Sequence, residues 1–172
     1  MYKAVGFLCI LVGCAGWGHS LAGQEKERVR HLRALVRILG QMRSEISYGK
    51  HTMPEICLLL SELNDEYYSI YFGRIYERTD GESGTGFPKV WEEELEKCLG
   101  PLPLREDERK AMSELAKNLR FREENGQAGR VGQVEVFLEG RLRQAEETLE
   151  NRSKMIHSVS ILTGLLLAIM LL

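Results

Sequence analysis

The sequence predicts an all-α protein, a helical bundle flanked by an N-terminal and a C-terminal transmembrane helix. Three observations predict it. Apolar residues in the middle of the chain recur at three and four, both ends are free of charge, and no stretch alternates with the period of a strand. The chain has 172 residues, of which 28% are charged and 44% hydrophobic, ordinary values for a folded protein. Those averages hide a segregation. No Lys, Arg, Asp or Glu occurs from Ala4 to Ala22, nor from Met155 to Leu172. Every acidic residue, and every basic residue except Lys3, lies between these runs. The expected organisation is an N-terminal transmembrane helix over 1–23, a cytoplasmic helical bundle over 24–154 and a C-terminal transmembrane helix over 155–172.

The two apolar runs would be about 28 Å and about 27 Å long as helices, against a hydrocarbon core of about 30 Å. The second run ends in Gly-Leu-Leu-Leu-Ala-Ile-Met-Leu-Leu, which a domain this small has little room to bury. The first run admits two readings. Ser20, Leu21 and Ala22 have the small residues of a signal-peptidase site, and Leu11 to Cys14 resembles a lipoprotein signal that would lipidate Cys14. The flanking charges favour an uncleaved anchor. Lys26, Arg28, Arg30, Arg33 and Arg37 follow the first run, and Arg141, Arg143, Arg152 and Lys154 precede the second. Basic residues stay on the cytoplasmic side, so the middle domain is expected in the cytoplasm. Cys14, Gly18 and Ala22 stand four apart, a spacing that suits close helix approach in a bilayer.

In the middle, Leu32, Leu35, Val36, Leu39, Met42 and Ile46 predict one helix over 24–50, continuous with the membrane segment and stopped at Gly49. Thr52-Met53-Pro54-Glu55 reads as a capping box, opening a helix with Ile56, Leu59, Leu60 and Leu63 on its buried side. An aromatic stretch follows, with Tyr67, Tyr68, Tyr71, Phe72 and Tyr76, and is expected in the core. Residues 80–86 form a loop without a phosphate-binding pattern. Pro88 opens a short helix carrying Val90, Trp91, Leu95 and Leu99, whose acidic run Glu92, Glu93, Glu94 and Glu96 is expected to face solvent. After the break at Pro101 and Pro103, Glu106, Asp107 and Glu108 start a helix with Met112, Leu115, Ala116 and Leu119 inside. Asn125-Gly126 predicts a turn, with the last helix beginning near Gln127. Its apolar stripe, Ala128, Val131, Leu138, Leu142, Ala145 and Leu149, is interrupted by Glu135.

Catalytic, cofactor-binding and metal-binding residues are all absent as predictions. The histidines (His19, His31, His51, His157) and cysteines (Cys9, Cys14, Cys57, Cys98) have no ligand or redox spacing, and no serine or cysteine sits in a nucleophile motif. A net charge of −2 argues against nucleic acid as a partner. Function is therefore expected from surfaces, with exposed Arg30 and Arg37 on the first cytoplasmic helix as docking candidates.

Several strings carry a resemblance. Glu45-Ile46-Ser47-Tyr48-Gly49-Lys50-His51-Thr52-Met53-Pro54-Glu55, then Phe72, Trp91 and Leu95, then Lys154-Met155 and Leu162-Thr163-Gly164-Leu165-Leu166-Leu167 occur in this order over nearly the whole chain. Together they resemble the stage III sporulation protein AB family of endospore-forming bacteria. One departure is Glu124-Asn125-Gly126-Gln127, where family members often carry Leu-Gly and a nearby Asp. The resemblance implies a non-enzymatic component of a channel complex spanning the mother-cell and forespore envelope, lying in the outer forespore membrane on the mother-cell side. It further implies a domain similar to the cytoplasmic domain of type II secretion F-proteins. The implied partners are a secretion-type ATPase, other membrane subunits of the complex and membrane lipid.

Overall fold

Heptad-like apolar spacing at two widely separated places in the chain gives this fold its two long helices. The computed structural model describes the backbone of residues 2–49, 51–62, 66–79, 86–119 and 124–171, and the side chains within 23–49, 51–62, 67–79, 86–117, 126–151, and 119 and 155. Helix α1 runs from Tyr2 to Ser44 and ends in a π-helical turn, Glu45–Gly49. Helix α6 runs from Glu124 to Leu171. The two pack against each other along the molecule, and four shorter helices cover one side of the pair. These are α2 (Met53–Ser61), α3 (Glu66–Thr79), α4 (Phe87–Glu94, ending in a π-helical turn Leu95–Leu99) and α5 (Glu106–Asn118). Among the described residues there is no strand, so the all-α expectation holds.

The predicted membrane spans fall on side chains outside the described residues, as does the Cys14, Gly18 and Ala22 face. Among the described residues no helix is long and apolar enough to cross a membrane. The backbone of both runs is helical and continuous with the bundle's long helices, as the sequence predicts.

Local chemistry explains the element ends. The Glu55 carboxylate accepts hydrogen bonds from the Thr52 amide (2.7 Å) and hydroxyl (2.9 Å), satisfying the start of α2 as a capping residue should. At Gly100 a Cβ would lie 2.2 Å from the Glu96 carbonyl oxygen. Only glycine lets the chain turn that tightly out of α4. Arg109 then donates to the carbonyls of Gly100 (2.9 Å) and Leu104 (3.0 Å), holding the proline-containing connection on α5. The start of α6 corrects the expected turn: Asn125-Gly126 lies inside the helix, whose first residue is Glu124. Asn and Gly each cost a helix about 1 kcal/mol or less against alanine, too little to stop a helix as long as α6 from starting ahead of them.

The core is aromatic at its centre. Tyr68, Tyr71, Phe72 and Trp91 are fully buried. Trp91 meets Tyr71 and Phe72 edge-on, with ring centroids 5.4 and 5.8 Å apart, the geometry that aromatic quadrupoles favour. Its indole NH donates to the Met112 carbonyl at 2.9 Å, tying α4 to α5. Around this centre Leu32, Leu35, Leu39, Met42 and Ile46 of the stripe read from the sequence are buried, joined by Ile38, while Val36 is only partly buried.

Two carboxylates depart from the expected pattern. Glu94, predicted to be solvated with its acidic neighbours, is buried. It accepts hydrogen bonds from Arg78 (2.7 Å) and Lys97 (3.1 Å), and Arg74 lies 3.7 Å away. Burial alone would raise its pKa, but hydrogen bonds and charge from Arg78 and Lys97 outweigh that and hold it below the ordinary carboxylate range. Glu108, read as a helix-start charge, has no exposed surface. Its carboxylate takes the Arg105 amide at 2.8 Å, capping α5. It also meets Arg28 of α1, whose Nε lies 3.2 Å from both carboxylate oxygens and whose Nη2 contacts one of them. Burial would lower the Arg28 pKa, but hydrogen bonds and charge from Glu108 and Glu25 raise it overall. Arg28 is thus fixed as a cation in the seam between α1 and α5.

Candidate docking surface on the α1–α6 pair

Helices α2 to α5 contribute nothing to one hollow along the α1–α6 seam. An open groove of about 820 Å³ lies there. Its α1 wall is Gly40, Arg43, Ser44, Ser47 and Tyr48, and its α6 wall is Ala128, Gly129, Gly132, Gln133 and Val136. Glycine sets its depth. A Cβ at Gly132 would sit 3.4 Å from Cδ and Nη1 of Arg43, so that guanidinium lies directly over the glycine. A Cβ at Gly129 would meet nothing within 4 Å. Two large apolar side chains rim the groove in solvent: Tyr48 is 87% exposed and Val136 65%. Gln133 is shared with a smaller depression of about 450 Å³ between α5 and α6, where Phe137 stands. The outward crest of α6 therefore carries Val136 and Phe137 between two hollows. Arg141 lies 5.1 Å over the Phe137 ring and ion-pairs with Asp107 of α5, which fixes this face.

A polar contact sits at the base of the groove. Glu135 occupies the position where the apolar stripe of α6 breaks, and its side chain is only 16% exposed. Gly40 of α1 makes room for it, since a Cβ there would lie 3.0 Å from Glu135 Oε1. Arg43 Nε approaches Oε2 at 3.3 Å. That distance makes an ion pair but the alignment does not make a hydrogen bond, so Oε2 has none. The Arg43 side chain is 49% exposed.

The basic residues singled out from the sequence lie elsewhere on α1. Arg30 pairs with Glu27 at 2.7 Å on the same helix, and Arg37 is exposed one turn before Gly40. Neither lines the groove. The signal that could have revealed it was the set of glycines inside a helix, Gly126, Gly129, Gly132 and Gly140, each costing about 1 kcal/mol against alanine. Among the described residues no three His, Cys, Asp or Glu side chains group as metal ligands. Cys57 is buried, and burial pushes its thiol up to about 12, so no reactive thiolate forms there.

The exposed Tyr48 and the capped Thr52–Glu55 start of α2 both belong to the string that carried the resemblance. The family model for stage III sporulation protein AB matches residues 3–172. The chain belongs to that family. A solved structure of a stage III sporulation protein AB is 21% identical, covers 72% of this chain and 97% of that one, and superposes with a TM-score of 0.63. It shares the fold. No curated protein matches the chain. Family membership makes the chain a sporulation protein, and it places the groove on a fold shared with a solved relative.

Proposed function

We propose that this chain is a non-enzymatic membrane component of a sporulation-specific, secretion-system-like channel between mother cell and forespore. In this reading two terminal helices span the outer forespore membrane. They hold the bundle in the mother-cell cytoplasm, as a platform for a secretion-type ATPase and other membrane subunits. The observation that carries it is the pairing of two charge-free terminal runs with basic inner flanks, in a chain of the stage III sporulation protein AB family. The continuity of α1 and α6 with those runs supports it, because a rigid helix pair transmits position from membrane to bundle. The test has two arms. A cysteine introduced at Ser83 should resist an impermeant maleimide in intact cells and react after permeabilisation. Detergent extracts of sporulating cells should yield the full chain with an ATPase and further channel subunits; recovery of the chain alone sinks the platform role.

A second reading rests on Leu11 to Cys14 and Ser20 to Ala22: an exported or lipid-anchored envelope protein with the bundle outside as a scaffold. Mass spectrometry of the mature N-terminus separates the two, since an intact Met1 or Tyr2 excludes processing.

A further inference from the structure

We propose that the charged side of the α1–α6 pair docks on the same side of a second copy of this chain, α1 of each copy against α6 of the other. The pairing goes beyond the platform reading, and only the direction of its symmetry axis rests on that reading.

Charge argues for a self-complementary surface. On α1, Lys26, Arg30, Arg33 and Arg37 are exposed at steps of four, three and four, which is one stripe of a helix. Of the exposed residues between them only Glu27 is acidic. On α6, Glu139, Glu146, Glu147 and Glu150 are exposed, and Arg143 is the one exposed cation between them. Arg33 pairs with Glu146 and Arg43 with Glu135. The two helices are therefore antiparallel, with Arg37 within a turn of the level of Glu139 and Arg30 within a turn of that of Glu147. Lys26, Arg37, Glu139 and Glu147 make no ion pair among the described residues.

A twofold axis along the helix pair turns these stripes into a match. Rotation about it keeps every residue at its own level and sets α1 of one copy opposite α6 of the other, so the basic stripe meets the carboxylate stripe twice over. An axis in that direction also leaves both copies inserted in one membrane with one orientation, as the platform reading requires. A surface of one sign fits less well. An acidic one, anionic lipid headgroups included, is drawn to α1 and repelled by α6 beside it, and a basic one meets the reverse. Arg37 also lies about 22 Å along the helix from Ala22, beyond a Debye length of about 8 to 10 Å from any headgroup. Area is sufficient. The exposed side runs about 33 Å from Lys26 to Tyr48 and two adjacent helices are about 20 Å across, so each copy offers about 650 Å² against the ~800 Å² of a standard interface. Tyr48 and Val136, exposed at its far end, add apolar area to a contact that charge alone would hold weakly.

The test is light scattering during size-exclusion chromatography of the full chain in nonionic detergent at low salt. A dimer is expected, and it should weaken as salt is raised. Arg37→Glu sets a carboxylate against Glu139 at both contacts and should weaken dimerisation about tenfold or more; Glu139→Arg, which opposes Arg37, should do the same. Both positions are exposed, so helical signal and Tm should match wild type. Mixing the two variants should restore a dimer. Each changed side chain then faces its opposite, and the native pair stays intact at the second contact. A monomeric wild-type chain overturns the proposal. So does a dimer untouched by either variant, whose contact would lie outside the charged stripes, or a mixture that stays monomeric. Co-purification from sporulating cells is read separately. An intact complex built on a monomeric chain removes this inference alone, and a dimer recovered without the complex removes the platform reading alone.

Discussion

Glu108 shows how one side chain can serve a helix end and a tertiary seam together. Its carboxylate caps α5 through the Arg105 amide and neutralises Arg28 in a place water does not reach. Removing one member of a buried pair strands the other, which costs far more than the pair contributes net. Glu108→Ala is therefore expected to destabilise the bundle by about 3 to 5 kcal/mol. Arg28→Met combined with Glu108→Leu should recover most of that loss, read from urea midpoints of the full chain in detergent. Recovery no better than the single variant would mean that capping, not charge, is what Glu108 contributes. Glu94 makes a prediction about pH. Its folded pKa is depressed, so its contribution is complete above the unfolded carboxylate value of about 4.3 and is lost as pH falls through the lower folded value. Glu94→Gln should cost about 1 to 3 kcal/mol at pH 7. The gap from wild type should close as the solution is taken toward pH 3; a gap constant with pH would remove the ion cluster as its cause.

The α1–α6 pair is where the elements set the architecture, and Glu135 is its odd member. A buried carboxylate oxygen without a hydrogen bond weakens a seam that leucine would strengthen. What it supplies is register: Gly40 and Arg43 accept Glu135 at one alignment of the helices, and a slip by one turn would bury the charge against leucine. Glu135→Leu is expected to raise stability by about 1 kcal/mol, with unfolding followed by circular dichroism; a loss of stability would show the ion pair to be net favourable. Gly40→Ala should add about 1 kcal/mol in a Glu135→Ala background and less in wild type, where the new methyl presses on the carboxylate. Much of this level was legible beforehand. Apolar spacing placed the two long helices and the break in the stripe at Glu135, and helix-start signals placed α2, α4 and α5, while the first turn of α6 was read as a turn. The buried positions of Glu94 and Glu108 were not legible, because their partners Arg78 and Arg28 lie 16 and 80 residues away. A local acidic run reads the same whether or not a distant arginine folds onto it. The groove escaped notice for a related reason: outward glycines carry no apolar signal, and only the facing helix reveals the depth they create.

At the scale of the whole molecule, one aromatic centre joins three of the four short helices to one another. Trp91 packs against Tyr71 and Phe72 of α3 and bonds the Met112 carbonyl of α5, so three of the four short helices meet at this side chain. The remaining one, α2, packs mainly on α3. A cluster that joins three helices should lose them together. Trp91→Ala is expected to cost about 3 to 5 kcal/mol from lost contacts and the cavity left behind. Two-state behaviour would turn that into a fall in Tm of roughly 10 to 20 °C, with helical signal and tyrosine fluorescence lost in one coincident transition. If the cluster were only a local patch, α4 and α5 would melt first while the α1–α6 helical signal persisted, and the two probes would separate.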